Sequence, residues 1–136
     1  MADVSVTAAN VLPLSAGTST GIAGAAITAG QTLYADSANG NVLKLADANA
    51  SAATSVVVGV ALNGAATGQP VTYANSGIYT PGFTVTVGAV YVQSATAGAI
   101  APVADLASGY YTNVLGIGVT SSQLMLIIKT AGVAVP

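Results

Sequence analysis

Gln123-Leu124-Met125-Leu126-Ile127-Ile128-Lys129 is one of the two densest apolar runs of the chain, the other being Val56 to Leu62. Read with a period of two, Leu124, Leu126 and Ile128 share one face. Met125 and Ile127 share the other, and Gln123 and Lys129 bound the run. A strand apolar on both faces is covered on both. One face meets the core. The second meets either a sandwich interior or another subunit.

The same alternation recurs elsewhere. In Phe83-Thr84-Val85-Thr86-Val87 the apolar residues fall on one side and the threonines on the other. In Val42-Leu43-Lys44-Leu45, Lys44 points away from Leu43 and Leu45. Sixteen glycines and many threonines and valines suit strands with frequent turns. Further strands are expected at Val4 to Ala8, Gln31 to Ala35, Ser55 to Leu62, Gln69 to Ala74, Gly77 to Thr80, Ala89 to Ser94 and Asn113 to Thr120. Asp47 to Ala53 and Pro102 to Ser108 read as a helical turn or two, too short to stand alone.

Residues 27–62 and 85–120 read as two copies of one unit. At an offset of 58, Gly30 meets Gly88, Gly40 meets Gly98 and Asp47 meets Asp105. Gly59 and Gly118 match with a one-residue shift, and Gly68 to Gly77 is a partial third echo. One such unit cannot cover its own apolar face. The expected fold is therefore all-β, a small β-barrel or β-sandwich built from two pseudo-repeats.

Residues 1–26 differ, being rich in Ser, Thr, Ala and Gly. They read either as a frayed tail or as an extended N-terminal arm adding a strand to a neighbour's sheet. In the second case Val4, Val6, Val11 and Leu12 are its grip. The β domain then spans 27–130, with 131–136 a C-terminal tail. Met125 and Ile127 complete the candidate subunit contacts.

The charge inventory decides much of what the protein does not do. Only Asp3, Asp36, Asp47, Asp105, Lys44 and Lys129 are charged, 4% of the chain, against about 25% in an average globular protein. With 53% hydrophobic residues the chain should fold. Its surface must be built from Ser, Thr, Asn, Gln, Gly and Ala. Such a surface loses little by desolvation, and reads as that of a chain that works assembled. Two lysines cannot form the basic cluster that nucleic acid or an anionic membrane surface requires. No apolar run approaches the roughly 20 residues of a spanning helix. A start with Asp3 and no basic residue does not read as a signal peptide.

Catalytic chemistry finds few residues. Without His, a nucleophile could be served only by a Ser–Lys pair, and Lys44 and Lys129 read as strand-edge charges. The four aspartates lie in turn-like or terminal contexts. Asp47 and Asp105 suggest a shared turn-capping role. Asp36, Asn39 and Asn41 could offer oxygens to calcium but lack EF-hand spacing. The absence of Cys removes disulfides and thiolate metal sites. Gly116-Ile117-Gly118 lacks the third glycine and the helix of a phosphate cradle. No catalytic residue, metal or cofactor is expected. Tyr110 and Tyr111, with Tyr73, Tyr79 and Tyr91, could form a sugar-stacking platform, although strand tyrosines more often pack across strands.

Four segments carry a family resemblance: AITAGQTLYAD, SVVVGVALNGAATGQPVTYANSGIYT, VTVGAVYVQSATAGAIAPV and VLGIGVTSSQLMLIIK. Together they cover Ala25 to Lys129. The pattern resembles the capsid cement, or head-decoration, proteins of tailed bacteriophages. That resemblance implies a small β-barrel or β-sandwich subunit, made in the host cytoplasm and bound to the outer surface of the virion capsid. Its partner would be the major capsid protein, and it would cement capsomers where they meet. A homo-oligomer is implied, a trimer ahead of a dimer. The alternative is a phage fibre, tail or other virion-surface module, with glycan binding as its candidate activity.

Overall fold

The computed structural model describes residues 3–136, and these described residues form ten strands. They are β1 (Val11–Leu12), β2 (Gly17–Ile22), β3 (Thr32–Asp36), β4 (Val42–Leu45), β5 (Gly59–Ala61), β6 (Pro70–Pro81), β7 (Val90–Gln93), β8 (Ile100–Pro102), β9 (Tyr111–Thr120) and β10 (Gln123–Ala134). All strand pairs are antiparallel, and they form one curled sheet in the order β4-β3-β5-β6-β10-β9-β7-β8. β1 and β2 also pair with β6. The fold is all-β, as the alternation and turn chemistry predict. Among the described residues the helical elements are single 3-10 turns at Ala8–Asn10, Ser37–Asn39 and Val103–Asp105.

β6 is the hub. Its first half lies between β2 and β5, its second half between β1 and β10. The changeover falls at Gly77, whose φ is +78°. A Cβ there would lie 2.8 Å from the Ser15 carbonyl oxygen and 3.1 Å from Ala16 Cα. Only glycine fits both that backbone and that approach. The two runs Gln69 to Ala74 and Gly77 to Thr80 are thus one long strand.

The same pairing order occurs on either side of the β6–β10 contact. β3 pairs with β4 and β5, and β5 with β6; β7 pairs with β8 and β9, and β9 with β10. Leu33 stands opposite Gly59, and Tyr91 opposite Gly116. Gly116, not Gly118, therefore occupies the register position of Gly59. The recurrence is one of pairing order and not of size, since β5 has three residues and β9 ten.

Two apolar clusters fill the curl. The first contains Val60, Tyr79, Val85, Tyr91, Ile100, Leu115, Leu124 and Leu126. The second, around Ile27, Leu33, Leu43 and Val71, lies where a parallel bridge from Ala23 to Leu43 draws β2 and β4 together. Buried polar groups tie the halves. Gln93 is fully buried; its Nε2 donates to the carbonyls of Ala46 (2.8 Å) and Ser94 (3.0 Å), and its Oε1 accepts from Thr32 Oγ1. Backbone bonds Thr32 N to Gly98 O, Gly98 N to Ala46 O and Tyr111 N to Ala48 O complete the seam.

Several segments depart from the sequence reading. Residues 3–26 lie against the chain's own sheet: Val4 N donates to Ile100 O, Thr7 N to Gly82 O, and β1 and β2 pair with β6. The long flank of β6 needs partners, and the nearest extended segment supplies them. Val4 to Ala8 forms no strand. Of Ser55 to Leu62 only Gly59–Ala61 joins a ladder. Phe83 to Val87 is no ladder strand either. Val85 N donates to Ser121 O and Thr86 N to the Tyr91 hydroxyl, and Val87 is 64% exposed beside the turn at Gly88. At the other end, residues 131–134 are no tail but the end of β10, with Ala134 opposite Tyr111.

Candidate docking face

Antiparallel residues directly opposite one another project from the same face of a sheet. That rule assembles a stripe on the outer face. Ile78 of β6 stands opposite Met125 of β10, Met125 opposite Ile117 of β9, and Ile117 opposite Val90 of β7. Ile117 is 37% exposed and Ile127, two residues beyond Met125, is 38% exposed. Leu12 of β1, opposite Thr80 and 51% exposed, extends the stripe past β6. The inward face of β10 carries Leu124 and Leu126, both buried, with Ile128 packed against the first cluster.

The six residues expected to make subunit contacts divide. Leu12, Met125 and Ile127 come together on this outer face. Val4, Val6 and Val11 do not. Val11 is buried, Val4 and Val6 are half-buried against the first cluster, and Val6 closes over Gly30. They are withdrawn because the N-terminal segment covers its own chain. Ile78, Ile117 and Val90 were not singled out from the sequence. Their membership follows from strand register, which alternation within one strand does not reveal.

The stripe is uncharged, and Lys129, opposite Val114, is the nearest charge along β10. The other lysine is engaged: Lys44 Nζ donates to Asp36 Oδ2 at 2.8 Å. Asp36 also accepts from Asn39 Nδ2 (2.7 Å) and the Ala38 N–H (3.1 Å). The ammonium beside it, then those two donors, hold its carboxyl below the usual range, and Asp36 in turn raises Lys44. Asp36 is thus the clasp of the β3–β4 turn, with its oxygens occupied by protein donors. Among the described residues no three His, Cys, Asp or Glu side chains group as metal ligands. Asp47 Oδ1 accepts from Asn49 N, capping its turn.

The tyrosines form no shared platform. Tyr79 is fully buried and Tyr91 nearly so, its ring 5.3 Å from that of Phe83. Tyr73 packs on the second cluster, while Tyr110 and Tyr111 are half-buried at the base of the β9–β10 ribbon. Burial takes the rings of Tyr79 and Tyr91 out of the surface. A pocket of about 330 Å³ lies between the N-terminal segment and two turns, lined by residues such as Val4, Val6, Thr28, Gln31 and Thr96, without a titratable side chain. Among the described residues no helix is long and apolar enough to cross a membrane.

No protein-family model matches the chain, and no curated protein matches it.

Proposed function

We propose that this protein is a structural subunit that binds the outer surface of a tailed-phage head and cements neighbouring capsomers, with the major capsid protein as its partner. The single observation that carries the reading is the uncharged stripe Leu12–Ile78–Met125–Ile117–Val90 on the outer face of the sheet. The family resemblance of Ala25 to Lys129 supports it, as does a chain of six charged residues.

The physics of such attachment is simple. Covering apolar surface contributes about 25 cal/mol per Å² before the entropy of association is subtracted. A neutral rim adds little desolvation cost. One contact of this kind is weak, but subunits repeated over a symmetric shell and joined in a homo-oligomer gain by multivalency. A trimer is the order the resemblance implies. With few charges involved, screening by salt has little to act on.

Co-sedimentation with expanded, undecorated heads tests the proposal. The protein should pellet with the heads at low and at high salt. Loss of pelleting at both salt levels, with a correctly folded protein, overturns it.

A further inference from the structure

β10 is twelve residues long, yet β6 covers its outer edge only at Leu124, Met125 and Leu126. Past Gly77 the course of β6 leads to Ser76 and Ala74, which pair with β2. Beyond Leu126 no strand of the described residues lies on the outer edge of β10. Thr130 to Ala134 are all exposed, Val133 at 68%, and nothing lies within 4 Å of a Cβ built at Gly132. Natural edges are blunted by charge or proline. This one carries Lys129 alone, and its proline, Pro136, lies after the strand.

We propose that the free edge of β10, from Ile127 to Ala134, pairs antiparallel with the same edge of a second copy of this chain. Three arguments select that occupant. A row of N–H and C=O groups paired only with water is a ready template for another extended strand. A two-fold contact covers the free edges of both copies at once with one self-complementary interface. Charge also permits it. In a register centred on Ala131, Lys129 lies opposite Val133 of the partner subunit, and the two Lys129 residues stand about 13 Å apart along the strands at ~3.3 Å per residue. That exceeds the screening length of about 8 Å at physiological salt. The pair would join the outer stripes of two copies into one face, and it departs from the trimer implied by the resemblance.

The purified chain, without heads, tests this. Its mass by light scattering across the micromolar range should be twice the 13.0 kDa of the chain. Val133→Lys, at an exposed position, sets a second ammonium opposite Lys129 of the partner subunit and should halve that mass while the far-ultraviolet circular dichroism stays unchanged. Because the chain has no cysteine, Ala131→Cys offers a second reading that does not depend on that variant. Antiparallel neighbours have Cα atoms about 4.5–5.5 Å apart, within disulfide range. Ala131→Cys should cross-link to itself under mild oxidation, and Thr18→Cys on β2 should not. A wild-type monomer or trimer, an unchanged mass for Val133→Lys, or equal cross-linking of the two cysteine variants overturns the pairing. Since no arm uses heads, failure of head binding leaves this result unaffected.

Discussion

Met125 of β10 lies directly opposite Ile117 of β9, and both side chains turn away from the core. Their neighbours Leu126 and Gly116 form the adjacent pair and turn inward. A single step along the ladder therefore separates residues that hold the fold from residues free to hold something else.

That separation can be measured. Ile117→Asp changes an exposed position and should cost the isolated chain less than about 1 kcal/mol. It places a carboxylate in the middle of an apolar contact and should weaken head binding by roughly tenfold or more, equivalent to ~1.4 kcal/mol. Leu124→Ala should do the reverse. It empties a fully buried site and should cost about 2–5 kcal/mol in urea unfolding. Equal stability losses for the two variants would contradict the assignment of faces.

Gly59 and Gly116 should both resist replacement. A Cβ on Gly59 would strike the Ala74 carbonyl oxygen, and one on Gly116 the Met125 carbonyl oxygen. These are backbone atoms of the next strand and cannot swing aside. Alanine at either should cost about 1–3 kcal/mol by overpacking. Gly68→Ala meets open space and carries only the strain of its positive φ, about 1–2 kcal/mol. Chemical denaturation of the three variants gives the comparison. A Gly116→Ala as stable as wild type would refute the close strand approach.

Alternation made β10 legible because its two faces are both apolar. The same test failed for Phe83 to Val87, where alternation is real but the turn at Gly88 leaves Val87 in solvent. β2 was invisible for the opposite reason. Gly-Thr-Ser-Thr-Gly-Ile has almost no apolar pattern, and it is held by backbone pairing with β6 and by contacts between small polar side chains. Thr20 and Thr72 share a hydroxyl bond at 3.2 Å, and Asn75 Nδ2 donates to Ser19 Oγ at 2.9 Å. Gln93 and Asn113 are fully buried, and nothing in an amide side chain announces burial in advance. The docking face was half legible: Met125, Ile127 and Leu12 could be picked from their own strands, whereas Ile78, Ile117 and Val90 needed the register between strands.

Tyr79 is buried in the first cluster with its hydroxyl unpaired, and burial drives its ionisation well above the usual phenol range. A buried hydroxyl without a partner costs about 1–3 kcal/mol. Tyr79→Phe should therefore leave the melting temperature unchanged or raise it. A clear fall would reveal a bond to that hydroxyl.

The Asp36 clasp gives a pH dependence with a definite sign. Its folded carboxyl titrates lower than the unfolded one. The stabilisation is thus present above the unfolded value, near pH 3.9, and is lost as pH falls through the lower folded value. Thermal melts should be level from neutral pH to about pH 5 and decline below about pH 4. Asp36→Asn should lower stability at neutral pH and flatten that decline. An identical acid decline in the variant would remove Asp36 from the explanation.

The most direct test of the central claim is a cryo-electron microscopy reconstruction of expanded heads mixed with this protein. The account predicts density over the junctions between capsomers, with the outer face of β6, β10, β9 and β7 turned toward the shell. A bare shell at saturating protein, or subunits seated with Ile117 and Met125 pointing into solvent, would contradict it.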